Sequence, residues 1–74
     1  MIELRRLRAF VTVVEEGNIT RAAERLNLSQ SALSVQLGKL ELQLGHPLFD
    51  RTGKRLILTE AGRIALDYAD TVFQ

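Results

Sequence analysis

Leu33, Leu37, Leu40 and Leu44 step by four, three and four, and so lie on one stripe of a helix. Ser29 ahead of the stripe has the short oxygen-bearing side chain that caps a helix start. Gly45 and Pro47 behind it stop the helix and forbid its continuation. A helix this sharply bounded, apolar along one face only, has to be covered by other short elements. The chain has 74 residues in which to supply them. That is one small domain, too short for a doubly wound nucleotide fold, a barrel or most complete enzymes.

The residues on either side give those elements. From Glu3 to Glu16 the apolar positions Leu4, Leu7, Phe10, Val11 and Val14 make a second helical stripe, with Arg5, Arg6, Arg8, Thr12 and Glu15 mainly off it. Gly17-Asn18 tolerates the left-handed turn that ends a helix. Thr20 then reads as the N-cap of a short helix closed by Asn27, with Ala22, Ala23 and Leu26 inward and small enough for close helix approach. Leu28 before Ser29 and Leu33 after it have the spacing of a hydrophobic staple. Leu48-Phe49 and Leu56-Ile57-Leu58 flank Asp50-Arg51-Thr52-Gly53-Lys54-Arg55, the pattern of a hairpin with a basic tip. Thr59 opens a last helix carrying Ala61, Ile64, Ala65, Tyr68, Ala69, Val72 and Phe73. No stop signal precedes Gln74, which is expected of a helix that continues in a longer protein.

Charge and cysteine content narrow the chemistry. Ten Lys and Arg against nine Asp and Glu leave +1, so any nucleic-acid role rests on where the charges lie. With no cysteine there is no disulfide framework, thiolate metal site or thiol nucleophile. His46 is the single histidine, and no His–carboxylate spacing suggests a metal or other cofactor. His46, Ser29, Ser34 and Asp50 are the residue types of a hydrolase. The serines, however, belong to a cap and an outward helix face, and no nucleophile-elbow glycines surround them. The expectation is a non-enzyme without cofactor, with no apolar run long enough for a membrane span.

Helix Thr20–Asn27, the turn at Leu28 and helix Ser29–Leu44 together make a helix-turn-helix. A recognition helix needs one apolar face for anchorage and small or polar residues outward, so that it can enter a major groove. Ser31, Ser34, Val35 and Gly38 fall opposite or beside the leucine stripe, and Gln30 stands at the helix start, where side chains reach base edges. Free N–H groups at both helix starts, near Thr20 and Ser29, suit phosphates. A basic hairpin after the recognition helix is a wing, with Arg51, Lys54 and Arg55 placed for the sugar-phosphate backbone. Lys39 is the recognition helix's one cation. Arg5, Arg6 and Arg8 read as a solvated face, and Asp50-Arg51 as a local ion pair of little weight.

Here the chain resembles the LysR-type transcriptional regulators. The resemblance is carried by Leu7-Arg8-Ala9-Phe10, Ala22-Ala23-Glu24-Arg25-Leu26, Leu28-Ser29-Gln30-Ser31-Ala32-Leu33-Ser34, Leu40-Glu41 with Leu44-Gly45, Leu48-Phe49-Asp50-Arg51 and Leu58-Thr59-Glu60-Ala61-Gly62. Ser34-Val35-Gln36 with Gly62-Arg63-Ile64-Ala65-Leu66-Asp67 is similar to the branch of sodium/proton-antiporter regulators. The resemblance implies a mainly α fold: a winged helix-turn-helix with a small two-stranded β wing and the start of a dimerising linker helix. The winged domain would span 1–58, with the helix-turn-helix at about 19–39 and the wing at about 48–58. Residues 59–74 would be a linker helix cut short.

By that resemblance Gln30, Ser31, Ser34 and Val35 touch base edges, while Thr20, Ser29, Lys39, Arg51, Lys54 and Arg55 touch the backbone. Ile64, Leu66, Tyr68, Val72 and Phe73, which cover more than one face of the last helix, would pair with a second subunit. The partner implied is double-stranded DNA carrying a partly palindromic site, with half-sites about 34 Å apart. The setting that the resemblance implies is the bacterial cytoplasm, on the nucleoid. A small-molecule inducer would bind an effector domain that this chain lacks. The family usually has arginine where Val35 stands and often a basic residue at Gly38, so Val35 is expected to shift base preference, for instance by packing on a thymine methyl. The alternative function is a winged-helix protein-interaction module, which would show an exposed apolar recognition face. Val35 and Leu42 are the apolar residues expected there.

Overall fold

The computed structural model describes residues 2–53 and 55–74. Four helices and one hairpin follow in order: α1 (Leu4–Glu16), α2 (Ile19–Leu26), α3 (Gln30–Leu44), β1 (Phe49–Asp50), β2 (Ile57–Leu58) and α4 (Glu60–Val72). The two strands are antiparallel, with Phe49 opposite Leu58 and Asp50 opposite Ile57. This is the mainly α winged helix-turn-helix that the sequence implies. Lys54, assigned to the basic tip, lies outside the described residues.

α1 is the central element and touches α2, α3 and α4. That position explains a departure from the periodic reading. Ala9 and Thr12, off the expected stripe, are buried with Leu7, Phe10, Val11 and Val13. A helix enclosed on three sides buries more than one face. Thr12 is accommodated because its hydroxyl donates to the Arg8 carbonyl at 2.8 Å, so no polar group is left unpaired. Leu33, Leu37 and Leu40 of α3 are wholly buried, and Leu44 is half-buried at the edge. Each fully buried leucine contributes about 2 kcal/mol of transfer free energy. α4 closes the same core with Ala65 and Ala69.

The helix ends explain how three helices fit into so short a chain. Gly17 ends α1 at φ +68°, and its N–H donates to the Val13 carbonyl. Asn18, immediately after, is extended and caps α2, its Oδ1 accepting from the Arg21 N–H at 2.9 Å. The expected cap, Thr20, is therefore corrected: it lies inside the first turn of α2. One glycine suffices to stop α1, which leaves Asn18 free to start the next helix. At the other end of α2, Asn27 takes φ +60°. Its N–H donates to the Glu24 carbonyl and that of Leu28 to the Ala23 carbonyl. This double closure reverses the chain into α3. It also leaves Leu28 39% exposed, so the expected staple onto Leu33 buries little.

Candidate nucleic-acid interface

Ser29 starts α3 as expected, its Oγ accepting from the Ala32 N–H at 3.0 Å. Once the leucine row is buried, the helix has a single orientation. Gln30, Ser31, Ser34 and Val35 are then all exposed on its N-terminal half, and Lys39 is exposed one turn further on. Gly38, half-buried, has open space where a Cβ would stand. The missing basic residue there is thus not forced by packing. The face is small, polar and shallow, with Val35 its apolar element at 52% exposure. Leu42, at 83%, is exposed further along the helix.

The wing is fastened to α3 and α4 through residues 47 and 48. The Glu41 carboxylate of α3 accepts the Leu48 N–H at 2.7 Å. The Leu48 carbonyl accepts the Thr59 N–H at 3.1 Å. The Thr59 hydroxyl donates to the Pro47 carbonyl at 2.7 Å and accepts from the Gly62 N–H at 3.0 Å. Thr59 thereby caps α4 and clamps the wing at once. The Phe49 ring rests 5.4 Å from that of Phe10, tilted by 51°. Beyond this anchorage Arg51 and Arg55 are exposed at the turn.

The expected Asp50–Arg51 pair is not formed. Asp50 accepts instead from the Thr52 N–H at 3.0 Å and the Thr52 hydroxyl at 2.7 Å. These donors hold the Asp50 carboxyl below its ordinary range. Their contribution to the turn is present above the ordinary carboxylate pKa and fades only as pH falls through the lowered value. At neutral pH the wing turn keeps this contact and Arg51 is left available to a ligand.

The start of α1 is the solvated face expected of it at Arg5 and Arg8, but not at Arg6. Arg6 pairs with Glu3 at 2.8 Å and donates from Nε to the Gln36 Oε1 of α3 at 3.3 Å, with its side chain only 19% exposed. Arg8 lies over the Phe73 ring at 3.9 Å from the centroid. Arg8 stays exposed all the same, and so does Arg5, whose side chain is 74% exposed with a loose contact to Glu3. Arg25 of α2 joins Glu15 and Glu16 at the end of α1.

The structure separates the five residues assigned to a subunit interface. Ile64 and Tyr68 stand 65% and 52% exposed on α4. Leu66, Val72 and Phe73 are half-buried against the domain's own core. An apolar groove lined by Ile2, Leu7, Leu44, Leu48 and Ala61 runs beside Ile64 and Tyr68. Among the described residues no group of His, Cys, Asp or Glu could hold a metal ion, and no helix is long and apolar enough to cross a membrane.

The sequence carries no sign of the roles of Glu41 and Gln36, and places Arg6 on a solvated face. Glu41 lies within the quoted Leu40-Glu41 pair, but nothing local says that it reaches residue 48. Arg6 and Gln36 are 30 residues apart, and no pattern within either helix joins them.

Residues 4–63 match the family described as bacterial regulatory helix-turn-helix protein, lysR family. The RuBisCO operon transcriptional regulator of Allochromatium vinosum is 47% identical over 73 residues, which is 99% of this chain and 24% of that protein. The uncharacterized HTH-type transcriptional regulator YeiE of Escherichia coli K12 is 52% identical over 63 residues, 85% of this chain and 22% of that protein. The chain thus spans about a quarter of the length of these curated relatives. A crystal structure of BenM_DBD with catB site 1 DNA superposes with a TM-score of 0.91 at 40% identity, covering 97% of this chain and 80% of that one. Vibrio fischeri DarR in complex with DNA gives 0.93 at 32% identity, covering 99% of this chain and 25% of that one.

Proposed function

The chain belongs to the lysR family of bacterial regulatory helix-turn-helix proteins, and from that premise we propose that it binds double-stranded DNA by sequence, as the DNA-binding part of a transcriptional regulator. The observation that carries this reading is the division of α3. Leu33, Leu37 and Leu40 are wholly buried, while Gln30, Ser31, Ser34 and Val35 are exposed together just behind a capped N-terminus. In the proposed complex that exposed row enters the major groove. Thr20 in the first turn of α2, Ser29 at the start of α3 and the cations Lys39, Arg51, Lys54 and Arg55 hold phosphates.

Selection from random duplex DNA, followed by titration of the selected site and a scrambled control across salt, tests this. An enriched two-fold symmetric site preferred over the control is the expected result. Equal binding to both, or none at low salt, overturns it. Two substitutions separate the roles. Gln30→Ala should lose about 1–3 kcal/mol of discrimination at one base position, as expected for a bidentate contact. Arg55→Ala should weaken binding to all sequences and reduce the salt slope by about one unit. A changed base preference with an intact slope in Arg55→Ala would remove the wing from its assigned role.

The proposed assembly is a homodimer through α4, read as the start of a longer linker helix, on a partly palindromic site. Ile64 and Tyr68 have the exposure to be covered by a partner, and the groove beside them is apolar. Ile64→Glu should shift light-scattering mass toward monomer and leave the melting temperature unchanged at concentrations where the wild type is itself monomeric, since Ile64 is exposed and contributes little to the fold. An unchanged mass across concentration would count against this face. The proposed setting is the bacterial cytoplasm, on nucleoid DNA, with any small-molecule inducer bound outside this chain.

A further inference from the structure

The leucine row decides which face of α3 is buried but leaves small adjustments of roll open, because apolar burial is non-directional. Two polar contacts supply direction, and they straddle the row. With 3.6 residues per turn, Gln36 and Glu41 lie about 70° to either side of the mean direction of Leu33, Leu37 and Leu40. On one flank the Gln36 Oε1 accepts from Arg6 Nε at 3.3 Å. On the other the Glu41 Oε2 accepts from the Leu48 N–H at 2.7 Å. Both flanking residues are half-buried. Arg6 is itself held: its Nη2 meets Glu3 Oε2 at 2.8 Å, and its side chain is 19% exposed. A guanidinium only donates, so the Gln36 amide must present its oxygen to Arg6. The amide is therefore oriented as well as placed. The exposed row Gln30, Ser34 and Val35 turns rigidly with the helix, so a small roll displaces every one of these side chains in a groove.

We propose that Arg6, acting through Gln36, is a positioning residue for sequence reading. It sets the roll of α3 against the stop that Glu41 provides on the opposite flank, and it does so without touching DNA. The inference rests on the DNA-reading function proposed above.

The test compares the wild-type chain with Arg6→Met, Gln36→Leu, the double variant and Arg6→Lys. Each is titrated against the selected duplex, its single-base variants and a scrambled control, across salt and well below its melting temperature. Arg6→Met and Gln36→Leu should each reduce discrimination at positions read by α3 by about fivefold or more, the lower end of what one base contact supplies. The double variant should lose no more than either single one, because both remove the same interaction. Arg6→Lys, which restores a donor, should recover part of the loss. The salt slope should stay unchanged throughout.

A lower melting temperature with unchanged base discrimination would overturn the proposal and leave Arg6 a structural contact. A slope reduced by about one unit with discrimination intact would overturn it in favour of a phosphate contact. Failure of the wild-type chain itself to prefer the selected site would overturn the DNA-reading function and the positioning role with it, and that failure is visible before any variant is compared.

Discussion

Phe10→Ala is expected to destabilise the domain by about 3–5 kcal/mol, the range for deleting a fully buried aromatic side chain. Phe10 is wholly buried in the middle of α1, the helix that α2, α3 and α4 all touch. Its ring also meets Phe49, which carries the base of the wing. The cavity would therefore lie where the recognition helix, the wing and α4 come together. A 74-residue domain has about 4–11 kcal/mol in all, so a loss of this size takes a quarter or more of its stability. Urea unfolding followed by circular dichroism checks it. The midpoint should fall sharply with the slope against denaturant unchanged. A loss below about 1 kcal/mol would mean that the surrounding side chains collapse into the space.

Gly62→Val is expected to cost at least about 3 kcal/mol, because overpacking against backbone cannot relax as a side chain would. A Cβ at Gly62 would overlap the Leu48 carbonyl oxygen and press on the Leu58 side chain. The Leu58 methyl can rotate away. The Leu48 carbonyl cannot, since Glu41 holds the N–H of that residue and Thr59 donates to the carbonyl itself. Gly62→Ala should be milder but still destabilising. Alanine recovers about 1 kcal/mol in helix propensity, yet the same overlap remains. At about 4–8 °C per kcal/mol for a domain this small, the valine variant should melt more than 10 °C below wild type. DNA binding at low temperature should also show a reduced salt slope, because the wing cations lose their fixed place. A valine variant melting within 3 °C of wild type would show that α4 can stand off from the wing at little cost.

Much of the fold was legible because its signals are local. Ser29, Thr59, Gly17, Asn27 and Gly45 act through their own backbone and the next few residues, and all five do in the structure what their residue types suggest. The stripe Leu33–Leu37–Leu40 is buried as its spacing requires. The misreadings have one kind of cause. Thr20 and Asn18 are both competent caps, and the choice between them depended on how little chain Gly17 needs to end α1. Thr12 was placed outside because periodicity assumes one buried face, whereas α1 is enclosed on several. Arg6 leaves the solvated face because its partner Gln36, distant in sequence, draws it against α3.

The same division holds for the site. The residue types on the outer face of α3 and the cations of the wing follow from sequence, since a capped helix with one apolar stripe leaves only one face free. How that face is aimed does not follow. It depends on Arg6 reaching Gln36, on Glu41 reaching the Leu48 N–H, and on Gly62 admitting the Leu48 carbonyl. Sequence alone determined the helices, all their ends but the start of α2, and the chemistry of the exposed row, because caps, left-handed turns and helical periodicity act over a few residues. Tertiary structure alone decided the roll of α3, the seat of the wing and which residues of α4 remain uncovered, because those depend on contacts between residues that only folding brings together.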